Sequence, residues 1–151
     1  MPVSPEARQS QNEGRIAALD LGEARTGVAL SDPTRSLASP LEVVASAEID
    51  GCLRRLVDEE GVREVVAGVP RTMSGQTGFQ AERALAEIQR LRDAFPEVEF
   101  VEWDERLTTR IASPAPSGKT KRKRRSKEPV DHLAAARILQ EYLDRRGAIS
   151  G

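Results

Sequence analysis

Cysteine occurs once in these 151 residues, so no disulfide can close within the chain and a reducing setting is the natural one. Histidine also occurs once, and without a Cys/His cluster the ligand set of a zinc centre is missing. No stretch reaches the roughly 18 consecutive apolar residues of a transmembrane helix. The opening MPVSPEARQSQNEG has no apolar segment behind its charges, which is unlike a secretory leader; residues 1–14 are expected to form a flexible polar tail. Lysine is confined to one place: all four fall in KTKRKRRSK, residues 119–127.

What is present is globular in character. Hydrophobic residues make up 38% and charged residues 31%, enough apolar material for a core of its own. One domain is expected over 15–146, with 147–151 as a short tail. Net charge is only −1. The four lysines and three arginines of 119–127 give that segment +7, however, which leaves −8 on the rest of the chain. Such an asymmetry points to phosphate backbones as partners.

Apolar runs at Ile16–Leu21 and Thr26–Ser31, joined by GEAR, predict an antiparallel hairpin. SLASPLEVVA offers a third strand that Pro40 restricts to an edge. Ile49, Cys52, Leu53, Leu56 and Val57 share one helical face, with Gly61 placed to end the helix; the thiol of Cys52 is therefore a core group rather than a nucleophile. EVVAGVP reads as a short strand stopped by Gly68 and Pro70. The loop RTMSGQTG leads to a long helix whose inward positions are Phe79, Leu85, Ile88 and Leu91. VEFVEW is a half-covered strand. SPAPSGKTKRKRRSKEP breaks every period and reads as a loop, mobile over 113–129, before a last helix with Leu133, Ala136, Leu139, Tyr142 and Leu143 mainly inward, ended by Gly147. Strands alternating with helices after a hairpin predict an α/β fold, a mixed sheet of antiparallel and parallel strands flanked by helices.

Three of these elements end or begin on acids: Asp20 after the first strand, Asp104 and Glu105 after the last, and Asp131 in the first turn of the final helix. Singly, each has an ordinary explanation in turn chemistry, solvated strand ends or a helix dipole. Asp32, before Pro33, is a turn residue. Strand ends of an α/β sheet converge on one edge, and acids gathered there would repel one another unless hard cations such as Mg²⁺ or Mn²⁺ joined them. Paired ions of that kind support phosphodiester hydrolysis.

LDLGEARTGVALSDP, AGVPRTMSGQTG, DERLTT and VDHLAAARILQEYLD resemble, in order and at suitable spacing over about residues 15 to 145, the successive motifs of the YqgF family of pre-16S ribosomal RNA nucleases, also described as Holliday-junction-resolvase-like. The resemblance implies a ribonuclease-H-like fold with catalytic, metal-ligating acids at Asp20, Glu105 and Asp131, and Asp104 as an auxiliary ligand. It implies a nuclease with 5′-end processing of pre-16S rRNA as its role and pre-ribosomal particles as partners; the clustered acids ask for Mg²⁺ or Mn²⁺, two ions, and the lone cysteine for a cytoplasmic setting. One departure is visible: SPAPSG interrupts the stretch between DERLTT and the final VD, where a further helical segment is expected.

Arg25 and Arg71, on loops near the same sheet edge, are candidates for phosphate contacts, as are Lys119, Lys121, Arg122, Lys123, Arg124, Arg125 and Lys127. Competing readings are a DNA nuclease or Holliday junction resolvase in recombination and repair, for which a homodimer would match a two-fold substrate, and a non-catalytic nucleic-acid-binding assembly factor. A sugar-kinase-like phosphotransferase would need a second lobe that this length does not supply. Neutralising Lys121, Arg122, Lys123, Arg124 and Arg125 together should weaken binding to structured RNA or to branched or single-stranded DNA and flatten its salt dependence. Binding unchanged at every salt concentration would take the segment out of substrate recognition.

Overall fold

Ile16, Ala18 and Asp20 alternate with Ala17, Leu19 and Leu21 along the first strand, and all six are buried. A strand covered on both faces requires a layer of helix on each, and the computed structural model, which describes residues 14–70, 78–105 and 132–150, has that arrangement. In chain order the described elements are β1 (Arg15–Leu21), β2 (Arg25–Ser31), β3 (Ala38–Ala45), a short 3₁₀ turn (Ser46–Glu48), α1 (Ile49–Glu60), β4 (Val62–Val69), α2 (Phe79–Ala94), β5 (Glu99–Asp104) and α3 (His132–Ser150). The five strands form one sheet in the order β3-β2-β1-β4-β5. β1, β2 and β3 pair antiparallel, whereas β1, β4 and β5 run parallel. This is the mixed sheet expected from the sequence.

The alternation sorts the core into two layers. Ala17, Leu19, Val65 and Ala67 pack against Ile49, Leu53 and Leu56 of α1 and Ile88 and Leu91 of α2. Ile16, Ala18, Val66 and Trp103 pack against Ala135, Ile138, Leu139 and Leu143 of α3. Asp20, two residues on from Ala18, therefore projects on the α3 side.

Local chemistry fixes the connections. Gly61 takes φ 74°, the left-handed conformation that ends α1 as its position predicted. Asp32 accepts hydrogen bonds from the N–H groups of Ser36 (2.8 Å) and Leu37 (3.0 Å); these bonds, that of Leu37 foremost, hold its carboxyl well below the usual carboxylate range. β3 is an edge strand, and its pairing steps from Val28 opposite Glu42 to Ala29 opposite Pro40. The skipped Leu41 makes a bulge at the proline, which has no N–H to give to a ladder.

Against the sheet, α3 is held by polar as well as apolar contacts. Buried Glu64 accepts a hydrogen bond from the Tyr142 hydroxyl and one from Arg146 at 3.5 Å. Tyr142 meets Trp103 edge to face at 5.9 Å. The side-chain amide of Gln140 donates to Ser36 O (3.0 Å) and accepts from Ala38 N–H (2.9 Å), tying the helix to the start of β3.

Four details differ from the sequence reading. β4 continues through Gly68 to Val69, because a glycine flanked by paired strands on both sides still completes the ladder. α3 runs past Gly147 to Ser150. Phe79 is 76% exposed and Leu133 57% exposed, since each stands in the first turn of its helix, beyond the edge of the layer that covers later turns.

Cys52 is buried, as its place on the α1 face predicted. Burial first, then the nearby Glu42 charge, pushes its thiol up to about 11. In native protein at about pH 8, Cys52 should react with a disulfide reagent at least about tenfold more slowly than in denaturant. Equal rates would show an accessible thiol.

Candidate active site at the sheet edge

Three adjacent strands bring the acids together. Leu19 lies beside Ala67 in the parallel pairing of β1 and β4, and Gly68 lies beside Trp103 in that of β4 and β5. Asp20 thus stands level with Gly68, and Glu105 follows directly on Asp104 at the end of β5. Gly68 is the gap between them. A methyl group added there would come within 2.5 Å of Glu105 Oε2, 3.0 Å of Glu105 Cγ and 2.9 Å of Ile138 Cδ1. Only a residue without a side chain lets Glu105 lie across β4, under α3, to reach Asp20.

The two carboxyl groups are hydrogen-bonded to each other. Asp20 is 8% exposed. Burial raises the Glu105 carboxyl above the ordinary glutamate value; the hydrogen bond from Asp20 opposes that rise and the neighbouring charge of Asp104 adds to it. Two carboxyl groups placed so repel each other when both are ionised, and a bound cation relieves that repulsion.

Asp20 and Glu105 open onto a cleft of about 320 Å³ whose walls include Gly22, Arg25, Gln80 and Arg83. It forms where the parallel strands β1 and β4 end, the edge at which ligands bind in open α/β sheets. Asp104 is half-buried at the same edge, and Arg25 reaches the cleft from the hairpin. Asp131, Arg71, Lys119, Lys121, Arg122, Lys123, Arg124, Arg125 and Lys127 lie outside the described residues. Among the described residues no three or more His, Cys, Asp or Glu form a group able to hold a metal ion; the described part of the acidic set is the Asp20/Glu105 pair with Asp104 beside it.

Gly68 reads from the sequence as a strand stop, and Gln80 and Arg83 are not singled out there. The available signal was the spacing 80, 83, 87, 90 along α2, a polar stripe whose first two members line this cleft.

Compared with known structures, the chain is similar to "T. thermophilus RuvC in complex with Holliday junction substrate", with a TM-score of 0.55 at 15% identity over 89% of this chain and 96% of that one. The fold is therefore ribonuclease-H-like, with its paired acids at the sheet edge. The family model RuvX, described as a Holliday junction resolvase, matches residues 14–145. A Rubrobacter xylanophilus protein named "Putative pre-16S rRNA nuclease" is 62% identical over 91% of this chain and 98% of its own length. Proteins of the same name from Desulforudis audaxviator and Acetivibrio thermocellus are 41% and 36% identical, over 87% and 89% of this chain and 95% and 99% of their own lengths. The chain belongs to the RuvX (YqgF) family, and it is a nuclease, a hydrolase of phosphodiester bonds.

Gly68→Ala should lower nuclease activity by about a hundredfold, because the added methyl displaces Glu105 by about an ångström, while leaving a folded protein. Activity within about threefold of the parent would show that the Glu105 position seen here is not the working one.

Proposed function

We propose that the chain is a divalent-cation-dependent nuclease whose centre is Asp20, Glu105 and Asp131, with Asp104 as an auxiliary ligand, and that its physiological substrate is the 5′ region of pre-16S rRNA. The observation that carries this reading is the hydrogen-bonded Asp20/Glu105 pair at the mouth of the cleft. The donor set fits Mg²⁺ or Mn²⁺: it is all oxygen, Asp20 is buried with Asp104 and Glu105 half-buried beside it, and its mutual repulsion is relieved by a cation. Two ions bound there would lower the pKa of water and stabilise the departing oxygen of the phosphodiester.

The residues of the chain have their own tasks. Asp20 and Glu105 present converging carboxylates from rigid strand ends, which fixes where the cations and the scissile group meet. Arg25, Arg71 and the basic segment 119–127 hold the backbone by charge and forked donors. None of these contacts reads base sequence, so selectivity for the rRNA precursor comes from substrate shape and from pre-ribosomal particles as partners. Work on pre-ribosomal particles would be done in the cytoplasm. Among the described residues no helix is long and apolar enough to cross a membrane.

A second reading, cleavage of branched DNA, is favoured by the family description and by the likeness to a RuvC bound to a Holliday junction; a homodimer would match such a two-fold substrate. Purified protein incubated with a precursor RNA and with a DNA four-way junction, in Mg²⁺ and in Mn²⁺, separates the two. Sequencing the cut ends should show discrete cleavage of the RNA, reduced at least about a hundredfold by Asp20→Asn. Junction cleavage without RNA cleavage would establish the second reading. Equal nucleic-acid binding by both proteins with no cutting under any metal condition would leave an assembly factor.

A further inference from the structure

Most arginines on the described surface are already committed. Arg54, Arg55 and Arg92 each pair with a carboxylate. Arg90 donates to both oxygens of Asp50, at 2.7 and 3.1 Å, and to Glu87 at 2.8 Å. Arg83, two turns earlier on the same face of α2, is different. Its Nε is buried and has no hydrogen-bond partner among the described residues. A guanidinium N–H left without an acceptor is uncommon in folded proteins; with no ion pair to a described residue, the half-buried side chain keeps its charge for a group that enters the clefts it lines.

Position says which group. Arg83 lines the acidic cleft together with Asp20, Glu105 and Gln80, and it also lines a larger adjoining cleft of about 580 Å³ with Ser46 and Arg90. With Leu21, Gly22 and Glu23 it forms the boundary between the two, and among the described residues it is the one cation there. In the larger cleft the cation at the far end, Arg90, is neutralised by Asp50 and Glu87. The uncommitted cation stands next to the acids, where the strand being cut has to pass. A phosphodiester offers two anionic, non-bridging oxygens, which a guanidinium fork meets better than any other side chain.

We propose that Arg83 binds a backbone phosphate of the substrate strand beside the Asp20/Glu105 pair, and that the strand leaves the acidic cleft across Arg83 toward the larger cleft. This rests on the nuclease reading for the identity of the ligand, a single-stranded RNA or DNA backbone. It adds a binding residue that the sequence reading did not name.

The test measures binding rather than cutting. Fluorescence anisotropy of labelled single-stranded RNA and DNA oligonucleotides is recorded without divalent metal, over about 50 to 300 mM salt, for the wild-type chain, Arg83→Gln and Arg83→Lys. Loss of one phosphate contact should weaken binding by Arg83→Gln about five- to tenfold at low salt and reduce the slope of log affinity against log salt by about 0.7. Arg83→Lys, which keeps the charge, should retain the slope. An Arg83→Gln variant that melts like the parent and keeps both affinity and slope overturns the proposal. So does a loss of affinity that Arg83→Lys shares in full with the slope unchanged, since that result assigns Arg83 to packing. Because no cleavage is read, a chain that binds through Arg83 yet cuts nothing would defeat the nuclease reading and leave this contact standing.

Discussion

The candidate site depends on a missing side chain. Asp20 and Glu105 come from strands that are not neighbours, and β4 runs between them. Their contact exists only because β4 presents Gly68 at that level, so that the Glu105 side chain crosses the strand in the space a Cβ would fill. The same space is bounded by Ile138 of α3. Sheet order, register and the height of the covering helix are thereby locked together at one point. Two carboxyl groups then face each other in a place with little water, where a hydrogen-bonded proton or a bound cation is the only inexpensive arrangement.

The rest of the fold keeps that point still. β1 is buried along both faces, so its end cannot drift without disturbing two cores. On the α3 side, Glu64, Tyr142, Trp103 and Arg146 form a polar and aromatic clamp that resists sliding of the helix. Catalytic constellations tolerate errors of about 0.5 Å, and a site on strand ends backed by packed helices meets that tolerance better than one on loops. Charge is distributed to the same end. Arginines away from the cleft are largely spent on carboxylates, while Arg25 and Arg83 at its walls have no ion pair among the described residues.

Much of this was legible in the sequence, for reasons of period. The hairpin, the edge placement of the Pro40 strand, the helix ended by Gly61 and the turn at Asp32 all follow from local rules acting over a few residues. What was hidden depends on depth and on partners far along the chain. Phe79 and Leu133 satisfy the helical period yet stand beyond the layer that would cover them. Gly147 has the composition of a helix stop, but nothing in its surroundings requires one and α3 runs on. Gly68 looked like punctuation because its purpose is set by Glu105, 37 residues later. Arg83 carries no local signal of its own, because only the assembled sheet edge reveals that its Nε is buried.

Family membership and the ribonuclease-H-like fold agree with the chemistry that the paired acids allow, and the proposed rRNA substrate follows the relatives the chain resembles. The proposed chemistry requires Asp20 and Glu105 to share a divalent cation. Anomalous diffraction from crystals soaked in Mn²⁺ tests this directly. A peak between the Asp20 and Glu105 carboxylates, lost in Gly68→Ala, is the predicted result. No peak there, or the same peak in a variant lacking both carboxylates, would contradict it.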